Sequence, residues 1–351
     1  MASTRIDEED CMTVIIGIDP HKATHMAVAI DGGEQSVARF EVRAQRDQTE
    51  RLLAWAAPFP DRRWAIESAD GLGKLLAQQL LAAGEDVVDV PPTLSARVRL
   101  LGSAKAGKND GNDALSTAIA GLRHCALRAV RVDDHATVLR LLVSRYDDLI
   151  ALRTQAACRL HALMRELVAG GAPLRLSADR AAKLLRGAHA VGLVALERKR
   201  FAGDLLSDIR RLDRELTAIK VRIGDAVAAS QTSLVELHGV GPIVAGLILG
   251  YVGDPTRFPT KERFAAYNAT APIEASSGPR KRHRLNPRGN RKLNHAMHLI
   301  AVTQIAHDTP GRAYHDRKIA EGKTKKEALR ALKRRISDAV WRQLQVDLAH
   351  P

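Results

Sequence analysis

Hydrophobic positions in the first ninety residues fall into short β-rich runs separated by turn residues, whereas beyond residue 113 they recur at helical spacing. Residues 13–19, 24–30 and 36–42 read as three consecutive strands, with Asp31, Gly32 and Gly33 as a hairpin signal between the last two. A helical stretch at 47–57 follows, then a short strand at 63–67, a helix at 71–83 and a strand at 86–90. This βββαβαβ order predicts a mixed sheet covered by helices, with the strands that end in Asp19 and Glu67 side by side at its centre.

The later pattern is different. Leu142, Tyr146, Leu149, Arg153, Ala156, Leu160, Leu163 and Leu167 step alternately by four and three, a heptad seam with one polar interruption. Leu205, Ile209, Leu212, Leu216, Ile219, Ile223 and Ala226 form a second seam, and the intervening Gly170, Gly171 and Pro173 supply a turn. A long helical hairpin, paired with itself or with another chain, is the expected outcome. The expected boundaries are a flexible acidic N-terminus at 1–11, an α/β domain at 12–130, a hairpin or coiled-coil oligomerisation region at 131–232 and a mostly α-helical domain at 233–351.

Charge adds a partner to this picture. The 351 residues carry 54 Lys and Arg against 40 Asp and Glu, a net charge of +14, which favours a polyanion through counterion release. Aromatic residues make up only 3% of the chain, too few for an extended base-stacking platform, so phosphate contacts should dominate. Cys11, Cys125 and Cys158 are scattered without metal-ligand or disulfide spacing and read as buried thiols in a reducing cytoplasm. The longest apolar stretch, 243–253, is too short to span a bilayer, so no membrane association is expected.

Two clusters bear on nucleic-acid contact. Gly239 and Gly241 sit in a glycine-rich turn at the head of an apolar helix, as in helix-hairpin-helix elements that receive a phosphate on backbone N–H groups, although a tight packing turn would look the same. Ser276, Ser277 and Gly278 are followed by Arg280, Lys281, Arg282, Arg284, Arg288, Arg291 and Lys292, with no acid between Pro279 and Lys292. The segment 312–342 is also basic and helical. His295 and His298 stand at i, i+3 but lack a third ligand, so zinc is not expected there. His21 and Lys22, next to Asp19, either touch phosphate or face solvent.

The acids carry the chemistry. Asp19 and Glu67 end strands, and Asp110 and Asp113 open a helix where i and i+3 carboxylates share a face. Taken singly, each has an ordinary structural reading as a strand end, a surface acid or a helix cap. Taken together, acids on the first strand, on the strand after the helix and on a later helix follow the order of metal ligands in a ribonuclease-H-like nuclease sheet. Such a set suits Mg²⁺, with Mn²⁺ as the alternative, in phosphodiester chemistry.

The blocks at 17–22, 65–67, 108–114 and 272–278 together resemble the signature of one bacterial insertion-sequence transposase family, which joins a RuvC-like DEDD domain to a serine-bearing C-terminal domain. The resemblance spans nearly the whole chain. It implies that Asp19, Glu67, Asp110 and Asp113 hold Mg²⁺ and that Ser277, with Ser276 as the alternative, is the nucleophile. It also implies a recombinase guided by an element-encoded bridge RNA, acting on element-end and target DNA as a dimer that assembles into a tetramer in synapsis. A cytoplasmic, nucleoid-associated protein follows. Three other readings stay open: a site-specific DNA invertase of the same family, a junction resolvase using metal-activated water, and a non-catalytic nucleic-acid scaffold.

Overall fold

In the computed structural model, residues 14–102, 110–124, 126–174, 176–274, 283–284, 286–287 and 289–349 are described, with the side chains of 102, 110, 283 and 284 left out. The chain divides into two units, 1–133 and 134–351.

The first unit contains strands β1 (Val14–Pro20), β2 (Thr24–Ile30), β3 (Ser36–Arg43), β4 (Arg62–Glu67), β5 (Val87–Val90) and β6 (Arg128–Ala129). Helices α1 (Gln48–Ala56), α2 (Lys74–Ala82), α3 (Pro92–Gly102) and α4 (Asp110–Arg123) accompany them. The sheet order is β3-β2-β1-β4-β5-β6. β1, β2 and β3 are antiparallel neighbours, β1, β4 and β5 run parallel, and β6 closes the far edge antiparallel to β5. This is the ribonuclease-H-like arrangement expected from the sequence, with β1 and β4 adjacent at the centre.

The alternation of side chains along each strand splits the buried residues between two faces. Ile16, Ile18, Ala27, Trp64, Ile66 and Val87 pack with Leu52 of α1 and Leu76 and Leu80 of α2. Ile15, Val28, Ala65, Val88 and Val90 pack with Ala114 and Ala118 of α4. Small residues on α4 let it approach the sheet closely.

The second unit begins with α5 (His135–Leu167), α6 (Ala178–Gly187) and α7 (Leu193–Ala229). The predicted hairpin pairs with itself: α5 lies along α7, with Leu142, Leu149, Ala156 and Leu160 buried from one seam and Leu205, Ile209, Leu212, Leu216, Ile219 and Ile223 from the other. The polar interruption, Arg153, donates from Nε to Asp213 Oδ1 on the facing helix at 2.5 Å. Cys158 corrects the reading of the cysteines as buried, since it lies on the outer side of α5 between the buried Ala156 and Leu160 and is exposed; Cys11 and Cys125 lie outside the described residues.

The helices α8 (Pro242–Val252), α9 (Lys261–Tyr267), α10 (Arg291–Ala306), α11 (Pro310–Ala320) and α12 (Lys325–Ala349) complete this unit, with a short hairpin of β7 (Ile273–Glu274) and β8 (His283–Arg284). Leu139, Leu142 and Val143 of α5 and Leu216 to Val227 of α7 share one core with Ile248, Met297, Ile300, Ile336 and Val340. A separate cluster of Leu160, Met164, Ala181, Leu185 and Leu206 joins the distal part of the hairpin to α6. Among the described residues no helix is long and apolar enough to cross a membrane.

Candidate active site

Strand register places the first two acids. β1 and β4 run parallel with Ile18 opposite Ile66, so Asp19 and Glu67 are the next residues at the same level of neighbouring strands. Period-two alternation then puts Gly17, Asp19, Ala65 and Glu67 on one face, opposite Ile16, Ile18 and Ile66. The chain turns sharply after Glu67. Ser68 has φ +54°, and its amide donates to the Val90 carbonyl at 3.1 Å, which fixes the strand end beside β5.

Helix α4 packs on that face; the side chain of Asp110, in its first turn, lies outside the described residues. A Cβ on Gly17 would collide with the Ala114 carbonyl and the Ala118 amide, and one on Gly121 would stand 2.7 Å from Ala65 Cβ and 3.1 Å from Ile15 Cγ2. Gly121 thus meets the sheet at Ile15 while Ala114 and Ala118 meet it at Gly17, so α4 runs against the direction of β1. Its first turn, Asp110 to Asp113, lies toward the Asp19 end. Gly17 is required by the close approach of the α4 backbone, and Gly121 by the side chains of Ala65 and Ile15.

Asp113 is buried, and Arg99 of α3 donates to its Oδ1 in a tight ion pair with the two side chains 28% and 11% exposed. Thr117, one turn on and fully buried, ties the neighbourhood together. Its hydroxyl lies 2.9 Å from the Asp113 carbonyl, 3.3 Å from Ser95 Oγ and 3.4 Å from Glu67 Oε2. His21 Nδ1 is 3.7 Å from Asp19 Oδ2, and the Asp19 side chain is 13% exposed. Asp19, Glu67 and Asp113 are all carboxylates, hard oxygen donors of the kind a small divalent cation takes. Among the described residues, however, no three His, Cys, Asp or Glu side chains are gathered around one point. The donor set fits a divalent ion in its chemistry, and Asp113 Oδ1, engaged by Arg99, would have to exchange that partner to join it.

Thr117, Ser95 and Arg99 are the residues sequence reasoning missed. Each is a single polar position in a helix and carries no spacing signal of its own; only the packing of α3 and α4 on the sheet reveals it. Asp89 of β5 is a further half-buried acid, but it pairs in register with Ile66 and so faces the opposite side from Glu67. It accepts from the Ala69 amide at 2.8 Å, and burial pushes its carboxyl above the usual range. It holds the turn after β4.

The second unit holds the serine and the basic run. Ser276, Ser277, Arg280, Lys281, Arg282 and Arg288 lie outside the described residues, as does the Arg284 side chain, while the Arg284 backbone pairs with Ile273. Lys292 donates to Asp147 Oδ2 at 2.6 Å, and this hydrogen bond holds its ammonium above the ordinary lysine range. Gly239 has φ +92°, and a Cβ there would stand 3.2 Å from the Ile300 carbonyl, so packing against α10 already requires it. Gly241 precedes Pro242 at the head of α8 with open space around it. Burial and the nearby Lys333 depress the pKa of His298.

A ribonuclease-H-like sheet with carboxylates collected at the ends of its central parallel strands defines the class of fold and site. The profile of the DEDD-type IS110 transposases matches residues 16–169, and that of the IS116/IS110/IS902 transposase family matches residues 231–316. The two matches together span more than half of the chain, which belongs to the IS110/IS116 family of transposases. An uncharacterized 44.8 kDa protein of insertion element IS116 from Streptomyces clavuligerus is 27% identical, over 98% of this chain and 96% of its own. An uncharacterized 42 kDa protein of insertion element IS900 from Mycobacterium paratuberculosis is 29% identical, over 94% of this chain and 95% of its own. Among solved structures, T. thermophilus RuvC in complex with Holliday junction substrate aligns with 34% of this chain and 99% of its own at 17% identity, with a TM-score of 0.28.

Proposed function

We propose that this transposase cuts and rejoins DNA through a serine nucleophile assisted by a divalent metal. The observation that carries the reading is the placement of Asp19 and Glu67 at one level of adjacent parallel strands, with the first turn of α4 brought over the same end. Asp19, Glu67, Asp110 and Asp113 would hold the ion, Mg²⁺ or Mn²⁺. Bound there, it supplies positive charge to phosphate oxygens and lowers the cost of deprotonating a hydroxyl.

The chain's own groups do the rest. Ser277 Oγ attacks the phosphorus of a DNA phosphodiester: a new Oγ–P ester forms, one P–O bond to the sugar breaks, and the departing strand leaves with a free hydroxyl after taking up a proton. The serine proton passes to a carboxylate or to water. The phosphoserine conserves the ester, so attack by a hydroxyl of another strand reverses the step and joins new ends without an external energy source. Cations in the run from Arg280 to Arg291 balance phosphate charge. An element-encoded guide RNA selects the sites, and protomers combine to bring the serine of one to the acids of another.

An SDS-stable protein–DNA adduct assay tests this with a divalent metal, element-end DNA and RNA recovered from cells. The adduct is expected from wild type and from Ser276→Ala, and should be lost in Ser277→Ala and in Asp19→Asn. Strand cleavage by Ser277→Ala without adduct would replace the serine mechanism by attack of water.

A further inference from the structure

The second unit contains a cavity of about 620 Å³ where the turn after α9, the start of α10, Tyr314 of α11 and one face of α12 meet. Its walls are cationic. Arg291, Arg330, Lys333, Arg334 and Arg335 all line it, and Asp338 is the single acid among the lining residues. Asp338 is engaged by Arg334, which also lies 3.7 Å from Glu262. Among the described residues Arg291, Arg330 and Lys333 form no salt bridge, although Arg330 is near enough to Glu327 to lower its pKa. Arg335 stands 5.6 Å from the centre of the Tyr314 ring.

Lys333 is the informative residue. It is half-buried and donates from Nζ to Asn294 Oδ1 at 2.6 Å. Asn294 is itself fixed, since its Nδ2 donates to the carbonyls of Asn268 at 3.0 Å and Ala269 at 3.1 Å. Asn268 is fully buried, donates to Ser337 Oγ at 2.8 Å and accepts from the Thr270 hydroxyl at 2.7 Å. Ala269 has φ +58° and is pressed against Gly289, where a Cβ would stand 2.8 Å from its amide. The ammonium is therefore held in one place by a chain of satisfied hydrogen bonds that includes a strained backbone position. Burial and the nearby Arg291 and Arg330 push its pKa below the ordinary lysine value. Three cations that form no salt bridge, one of them desolvated and held in place, gather positive charge on one wall that a bound anion would offset.

We propose that this cavity is a receptor for one phosphodiester of a nucleic-acid strand, with Lys333, Arg330 and Arg291 neutralising the phosphate and Tyr314 bordering the adjoining sugar and base. A concave site of this volume takes a nucleotide unit, unlike the flat basic surfaces that track a duplex backbone. The inference rests on the proposed function only in taking nucleic acid as the ligand.

The test is equilibrium binding of the full chain to single-stranded DNA and RNA oligonucleotides of one sequence, in EDTA so that no cleavage occurs, across a salt series. Lys333→Gln/Arg330→Gln is expected to bind about tenfold more weakly and to lower the slope of log affinity against log salt by about one, whereas Arg200→Gln on α7 changes neither. The polymer whose affinity falls identifies the strand. Arg330→Gln alone, at an exposed position, guards against loss of folding in the double variant. Inorganic phosphate should raise the melting temperature of wild type more than that of the double variant. Unchanged affinity and salt slope in the cavity variants for both polymers would overturn the inference while leaving the serine mechanism intact. Weakened binding together with a failed adduct assay would leave the receptor standing and remove the cutting reaction.

Discussion

Replacing Gly17 by Ala puts one methyl group where α4 already lies. The obstructing atoms are the Ala114 carbonyl oxygen and the Ala118 amide nitrogen, both backbone, so no side-chain rotation relieves the contact. Ordinary carbon contacts lie near 3.5–4.0 Å, which requires α4 to lift from β1 by roughly 1 Å or more. That displacement opens the interface of Ile15, Ala65, Ala114 and Ala118, whose members are buried to within a few per cent. Overpacking of this kind costs about 1–3 kcal/mol, and the rigid partners place this site toward the upper half of that range. At about 2 kcal/mol the melting temperature of a unit of this size falls by roughly 6–12 °C. The same shift carries Asp113 away from Glu67, so stabilisation by added Mg²⁺ should weaken as well. Calorimetry of the wild type and Gly17→Ala with and without Mg²⁺ measures both effects. Gly203→Ala is the control: this helical position on α7 has open space around its would-be Cβ, and alanine there should be stabilising by up to about 1 kcal/mol. A Gly17→Ala protein with wild-type melting temperature and an unaltered Mg²⁺ response would refute the seating of α4 on β1, and with it the convergence of the acids.

Thr117→Val keeps the shape of a fully buried side chain but removes the hydroxyl shared by the Asp113 carbonyl, Ser95 and Glu67; it should lower unfolding free energy by about 1–2 kcal/mol in denaturant titration and weaken metal binding measured by calorimetry. His25 is buried and bonded through Nε2 to Gln48 Oε1 at 3.0 Å, with its pKa lowered from 6.5 chiefly by burial. The unfolded chain therefore binds the proton more readily, so stability of the first unit should drop as pH falls below about 6.5 toward the folded-state pKa, and His25→Gln should flatten that part of the stability–pH curve.

Much of the first unit was legible because each strand carries its own evidence. The apolar runs at 13–19, 24–30 and 63–67 are bounded by turn residues, and the resulting strands start and stop within a residue or two of the predicted limits. The pairing of β1 with β4 followed from the order of elements. The seam residues of α5 and α7 were equally plain, since burial repeats every three or four positions. What escaped the sequence depends on elements meeting. Arg153 reads as a flaw in a heptad until Asp213 stands opposite it. The short helix α6 between the arms is too brief and too rich in alanine and charge to announce itself. Arg99 has no meaning as a partner of Asp113 until α3 is laid beside α4, and the cationic cavity joins residues from 269 to 338 that no linear motif connects.

Helix α5 takes part in two cores at once: Leu139, Leu142 and Leu149 belong to the cluster shared with α8, α10 and α12, and Ala156, Leu160 and Met164 to the one shared with α6. Its 33 residues make an unbroken rod of about 50 Å. With α7 packed along it, the pair is a single stiff beam anchored at one end among the C-terminal helices and at the other against α6. A change in packing at either anchor is therefore transmitted as a rigid displacement to the other rather than absorbed between them.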